Sequence, residues 1–99
     1  VYTLITAASR AEAYQLKKNI NSASVLLGDY ADLPELMLKS GKMLNLPNPQ
    51  QDTYPHQMLA FCLDHQIETV YLLRPEEAQA LAPAHQLFTE YGIELITAL

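Results

Sequence analysis

The sequence predicts an α/β domain with a doubly wound, five-stranded parallel sheet, strand order 3-2-1-4-5, and helices on both faces. Three observations carry that expectation. Apolar strand-like runs alternate with segments of helical spacing along the whole of the 99 residues, a pattern that implies right-handed crossovers between parallel strands. Residues 67–73, Ile-Glu-Thr-Val-Tyr-Leu-Leu, are almost continuously apolar, as in a central strand covered on both faces. The chain also opens with a strand-loop-helix unit: Tyr2-Thr3-Leu4-Ile5-Thr6, the small turn Ala7-Ala8, then a helix start. The other common doubly wound order, 2-1-3-4-5, fits the same alternation.

The first strand mixes β-branched and aromatic residues, which suit a pleated, buried surface. Ser9-Arg10-Ala11-Glu12 reads as a capping box, Ser9 accepting from the first turn while Glu12 reaches back. The helix it opens runs to about Ile20, with Ala13, Leu16 and Ile20 on one face and Lys17 and Lys18 near its negative end. A short second strand, Ser24-Val25-Leu26-Leu27, runs into Gly28-Asp29-Tyr30. Asp32, Pro34 and Glu35 mark a brief second helix, which Gly41 closes. The third strand, 42–46, alternates only weakly, as befits a sheet edge, and Pro47-Asn48-Pro49 ends it. From Thr53 a third helix, with Pro55 in its first turn, carries Met58, Leu59, Cys62 and Leu63 at core spacing through Gln66. After the fourth strand, Arg74-Pro75-Glu76-Glu77 turns directly into a helix, with Pro75 at its first position and two carboxylates in its first turn. Pro83 must interrupt it, since an interior proline loses a hydrogen bond and clashes with the preceding turn; two pieces, 76–82 and 84–91, are expected. Gly92 caps the second, and Ile93-Glu94-Leu95-Ile96-Thr97 forms the fifth strand.

A chain of this size is expected to make one domain, residues 1–99, without a metal or disulfide. A net charge of -5 and a sequence pI of about 4.9 oppose the basic footprint that nucleic acid demands. No apolar run approaches the roughly 20 residues of a membrane span, so no membrane partner is expected. The single cysteine leaves no internal disulfide and favours a reducing, cytoplasmic setting.

In the favoured order a ligand crevice lies between strands 1 and 4, walled by residues 6–10 and 73–77. The first loop should present exposed N–H groups that favour anions. Its candidates are Thr6, Ser9 and Arg10, with Asp29 where a dinucleotide's ribose-binding acid would fall. The loop has no glycine, however, and Cβ atoms on Ala7 and Ala8 would obstruct close approach of a pyrophosphate. Ser9 lacks the G-x-S-x-G surroundings of a nucleophile, and its capping role explains it. Arg74 is placed to hold a carboxylate or phosphate bidentately, although a salt bridge to Glu76, Glu77 or Asp29 is the simpler reading. Glu76 and Glu77 are most simply first-turn helix residues. His56, His65 and His85 share no ligand spacing, so no metal site is expected, and Cys62 reads as a small core residue.

Taken together, Leu4-Ile5-Thr6-Ala7-Ala8-Ser9-Arg10, Gly28-Asp29, Leu44-Asn45-Leu46-Pro47, Leu72-Leu73-Arg74-Pro75-Glu76-Glu77 and Tyr91-Gly92-Ile93 resemble the N-terminal domain that precedes the ATP-grasp fold. That domain occurs in carbamoyl-phosphate synthase large chains and related carboxylate-amine ligases. Asp29, Pro75 and Glu76 match the family's pattern, whereas Ala7 and Ala8 stand where its first loop usually bears glycine. The resemblance implies a Rossmann-like domain without catalysis of its own. Such a domain packs against an ATP-grasp domain on another or longer chain and forms one wall of the acid-substrate site. ATP and Mg would enter only through that partner, and Thr6, Ser9, Arg10, Asp29, Arg74 and Glu76 are the candidate substrate- or anion-binding residues. Two further readings are a small anionic-metabolite or nucleotide-binding module and a structural domain that forms a homodimer.

Overall fold

The computed structural model describes residues 2–8, 10–20, 24–30, 35–39 and 43–97. Its strands are β1 (Tyr2–Ile5), β2 (Val25–Asp29), β3 (Met43–Asn45), β4 (Ile67–Leu72) and β5 (Glu94–Thr97). All neighbours are parallel, and the order is β3-β2-β1-β4-β5, which excludes 2-1-3-4-5. The helices are α1 (Ala11–Ile20), α2 (Glu35–Lys39), α3 (Tyr54–Asp64), α4 (Pro75–Leu81) and α5 (His85–Glu90). The chain is Rossmann-like.

The period of two along the strands divides the core. Leu4, Val70 and Leu72 face Tyr54, Met58 and Cys62 of α3, with Leu81 and Phe88 of α4 and α5 in the same cluster. Their neighbours Ile5, Leu27 and Leu73 belong to the opposite cluster with Ala13 of α1, against which Leu16 and Ile20 pack. A one-residue register slip would exchange these two sets. Each large aliphatic or aromatic side chain so buried contributes roughly 1.5–3 kcal/mol.

Local punctuation fixes the ends. Pro83 breaks the long helical stretch as its missing donor requires: α4 stops at Leu81, a 3-10 turn covers Ala82–Ala84, and α5 restarts at His85. Gly92 takes φ +76°, its N–H donates to Thr89 O (3.0 Å) and the Ile93 N–H donates to Phe88 O (2.9 Å), the paired bonds of a Schellman cap. Gln66, at φ +58°, reverses the chain after α3 without a glycine. The strand predicted over 67–73 ends one residue earlier, at Leu72. The proposed caps at Ser9, Asp32 and Gly41 lie outside the described residues.

Candidate functional site

The carboxyl ends of β1, β2 and β4 meet where the sheet changes winding direction, the place at which open α/β sheets bind ligands. Here they are closed over one another. Ala7 adopts φ +55°, and both Ala7 and Ala8 are fully buried. Three of the N–H groups in this stretch are used inside the fold. Thr6 N–H donates to Tyr71 O (3.1 Å), Ala8 N–H to Gly28 O (3.0 Å) and Arg10 N–H to Ala7 O (2.9 Å). These three donors are therefore not available to a pyrophosphate. Gly28 has a packing role, because a Cβ there would stand 2.9 Å from the Leu46 side chain and 3.1 Å from Leu44 O.

Across the mouth runs a buried ion pair. Arg74 donates from Nε to Asp29 Oδ1 (3.1 Å) and from a terminal nitrogen to Asp29 Oδ2 (2.9 Å), a fork-on-carboxylate geometry that fixes both groups. The Asp29 side chain is 0% exposed and that of Arg74 11%. The hydrogen bonds to Asp29 hold the guanidinium pKa above its ordinary value. Its carbon also stacks 5.0 Å from the centre of the Tyr30 ring, within cation-π range. The Tyr30 hydroxyl donates to Glu76 Oε2 at 2.7 Å, and that bond raises the phenol's pKa. Glu76 is held below the usual carboxylate range, first by its own backbone N–H and then by Tyr30.

Thr6 is fully buried; its hydroxyl accepts from Leu73 N–H (2.9 Å) and donates to Tyr71 O (3.3 Å), stitching β1 to β4. Arg10 is exposed beside the first loop, and Ser9 lies outside the described residues. The structure thus joins Asp29, Arg74 and Glu76, with Tyr30 added, into one network. Thr6 is a structural tie under it, and Arg10 acts on the network through its charge, which helps hold the Glu76 carboxyl low.

Sequence reasoning missed Glu77. Expected as an ordinary first-turn residue, it is 0% exposed, and neither carboxyl oxygen has a hydrogen-bond partner. Burial pushes its pKa up to about 7; the nearby Thr6 hydroxyl favours the charged form, the Asp29 and Glu76 charges oppose it, and Arg74 partly compensates. The Tyr54 hydroxyl is likewise buried without a partner, its pKa raised by burial and then by the Glu77 charge. The signal was in the spacing: Glu77 lies four residues before the buried Leu81, hence on the inward stripe of α4. Cys62 is buried in the core, its thiol pushed up to about 12 by desolvation, which suppresses thiolate chemistry. Among the described residues no group of three or more His, Cys, Asp or Glu could hold a metal ion, and no helix is long and apolar enough to cross a membrane.

No protein-family model matches the chain, and no curated protein matches it. Among solved structures it is similar to one titled "Partial Consensus L-threonine 3-dehydrogenase (E-change)", with a TM-score of 0.62 and 17% identity. The match covers 96% of this chain and 35% of that one, so the chain spans about a third of that structure's length. At this identity the likeness establishes the fold.

Proposed function

We propose that this chain is a domain of the pre-ATP-grasp type, without catalysis of its own. It packs on an ATP-grasp domain of another or longer chain and lends one wall to the acid-substrate site, with ATP and Mg held by the partner. The observation that supports this reading is the closure of the strand ends. A Rossmann-like fold whose first loop spends the Thr6, Ala8 and Arg10 N–H groups internally, and whose ribose-position acid Asp29 is held by Arg74, is poorly disposed to hold a dinucleotide. It keeps a rigid polar rim of Tyr30, Arg74 and Glu76. The sequence resemblance supplies the partner.

The test is a thermal-shift titration of the domain with ATP, NAD, carbamoyl phosphate and simple carboxylates. A ligand at about 100 times its Kd stabilises the native state by roughly 2.7 kcal/mol, which is about 10–20 °C in Tm for a domain of this size. No shift with ATP or NAD is expected. A saturable shift with either would overturn the reading.

A second reading, a small anionic-metabolite or nucleotide-binding module, is favoured by the exposed guanidinium of Arg10 beside the first loop and by the likeness to a structure titled as a dehydrogenase. A dose-dependent shift with one anion, lost in Arg10→Ala, would select it. Exposed Tyr2, Tyr14, Leu36, Leu63 and Tyr91 support a homodimer as a third arrangement, which sedimentation across a concentration series decides.

A further inference from the structure

We propose that Glu77 is a built-in proton site: a buried carboxyl kept neutral in the closed domain, whose ionisation loosens the first turn of α4 and so the rim formed by Arg74 and Glu76. The inference concerns the domain itself and holds whichever ligand or partner the rim serves.

The argument begins with geometry. Glu77 is fully buried and neither oxygen is hydrogen-bonded, a costly state for a charged carboxylate and a much less costly one for the neutral acid. The groups facing it come from every element around it. From the end of β1 comes the Thr6 hydroxyl, already engaged with Leu73 N–H and Tyr71 O. Following β2 come the Asp29 carboxylate, which repels a second negative charge, and Tyr30, whose phenol is tied to Glu76. From α3 comes the buried, unpartnered Tyr54 hydroxyl. From the end of β4 comes Arg74, whose fork is seated on Asp29, and from α4 itself comes Glu76, a further negative neighbour. Arg74 thus faces Asp29, Glu76 and Glu77 together, with Arg10 also acting on Glu76, and Glu77 is the acid whose surroundings oppose its charge.

Ionisation of Glu77 has two outlets. The carboxylate draws Arg74 away from Asp29, or it pulls the α4 start outward to reach water. Either movement strains the same two bonds, from the N–H groups of Glu77 and Ala78 to Arg74 O at 3.1 and 3.2 Å. The sign follows from linkage. The folded state holds this proton more tightly than the unfolded chain does, so the stabilisation is complete below the ordinary glutamate range. It is lost as pH rises through neutrality.

The deciding experiment follows the Glu77 carboxyl carbon by NMR from pH 4 to pH 9, with hydrogen exchange of the Glu77 and Ala78 amides and urea denaturation at each pH. A carboxyl midpoint near neutrality is expected. The unfolding equilibrium constant should rise by roughly two orders of magnitude across the range, and the α4 amides should lose protection beyond the intrinsic effect of base. Glu77→Gln, which imitates the neutral acid, should abolish this part of the pH dependence; the three histidines are common to both proteins and cancel in the difference. A carboxyl that titrates in the ordinary glutamate range overturns the proposal, as does a Glu77→Gln protein with an unchanged pH slope. Should Glu77→Gln not fold, the wild-type carboxyl titration and its displacement in Tyr54→Phe decide alone, and an unmoved, ordinary midpoint in both refutes it.

Discussion

Arg74→Ala removes the guanidinium that forks onto the buried Asp29 carboxylate. Because Asp29 is 0% exposed and its two oxygens each accept from the guanidinium, at 3.1 and 2.9 Å, the variant leaves a desolvated charge without its fork. Breaking such a pair from one side costs about 3–5 kcal/mol, a large part of the roughly 5–15 kcal/mol that holds a domain together. The corresponding fall in Tm is about 12–40 °C for a chain of this length. Arg74→Lys keeps the charge but replaces a two-pronged contact by a single ammonium, and is expected to lose about 1.5–3 kcal/mol, the worth of one charge-assisted hydrogen bond. The double variant Arg74→Met with Asp29→Leu removes both charges at similar volume and should recover most of the loss. Urea denaturation followed by circular dichroism measures all three, with calorimetry as an independent check. An Arg74→Ala protein within about 1 kcal/mol of wild type would put the pair in the class of surface ion pairs. The claim that it locks the strand ends would then fail.

The glycines give a matched pair of predictions. Gly28→Ala forces a methyl to 2.9 Å from Leu46 and 3.1 Å from the Leu44 carbonyl, so a loss of about 1–3 kcal/mol from overpacking is expected in denaturant titrations. Gly92→Ala meets nothing within 4 Å; its cost comes from φ +76° alone, about 1–2 kcal/mol, and Gly92→Asn should lose less than Gly92→Ala because asparagine tolerates the left-handed region better.

Most of the scaffold could be read from the chain because its signals are local. The near-continuous apolar run marked β4 as an interior strand, though the centre of the sheet belongs to β1 and β4 lies between β1 and β5; Pro83 stopped α4 by removing a donor, and Gly92 supplied the one backbone conformation a Schellman cap requires. The site was harder to read because its contacts are long-range. Three carboxylates competed for Arg74, and only the folded register, which sets β2 and β4 on either side of β1, selects Asp29, 45 residues away. Glu76 and Glu77 are adjacent and chemically identical, yet one reaches the rim and bonds Tyr30 while the other turns inward. Helical phase separates them, and composition could not. The closed first loop was half legible: its missing glycines argued against a pyrophosphate, but the bond from Ala8 N–H to Gly28 O depends on the neighbouring strand.

The central position of β1 also governs how the molecule comes into being. β1 receives β2 soon after synthesis, but its other neighbour arrives late: Thr6 and Tyr71, which join the two strands, are 65 residues apart. Until β4 emerges, Leu4 and Ile5 sit beside an open edge, and a nascent β1-β2-β3 half has a row of unmatched amides that invites pairing with another chain. Closing a loop of that length must precede any reward from the contacts it makes, which slows the search. The strand that ends at the centre of the sheet is therefore, during translation, the one longest exposed to error.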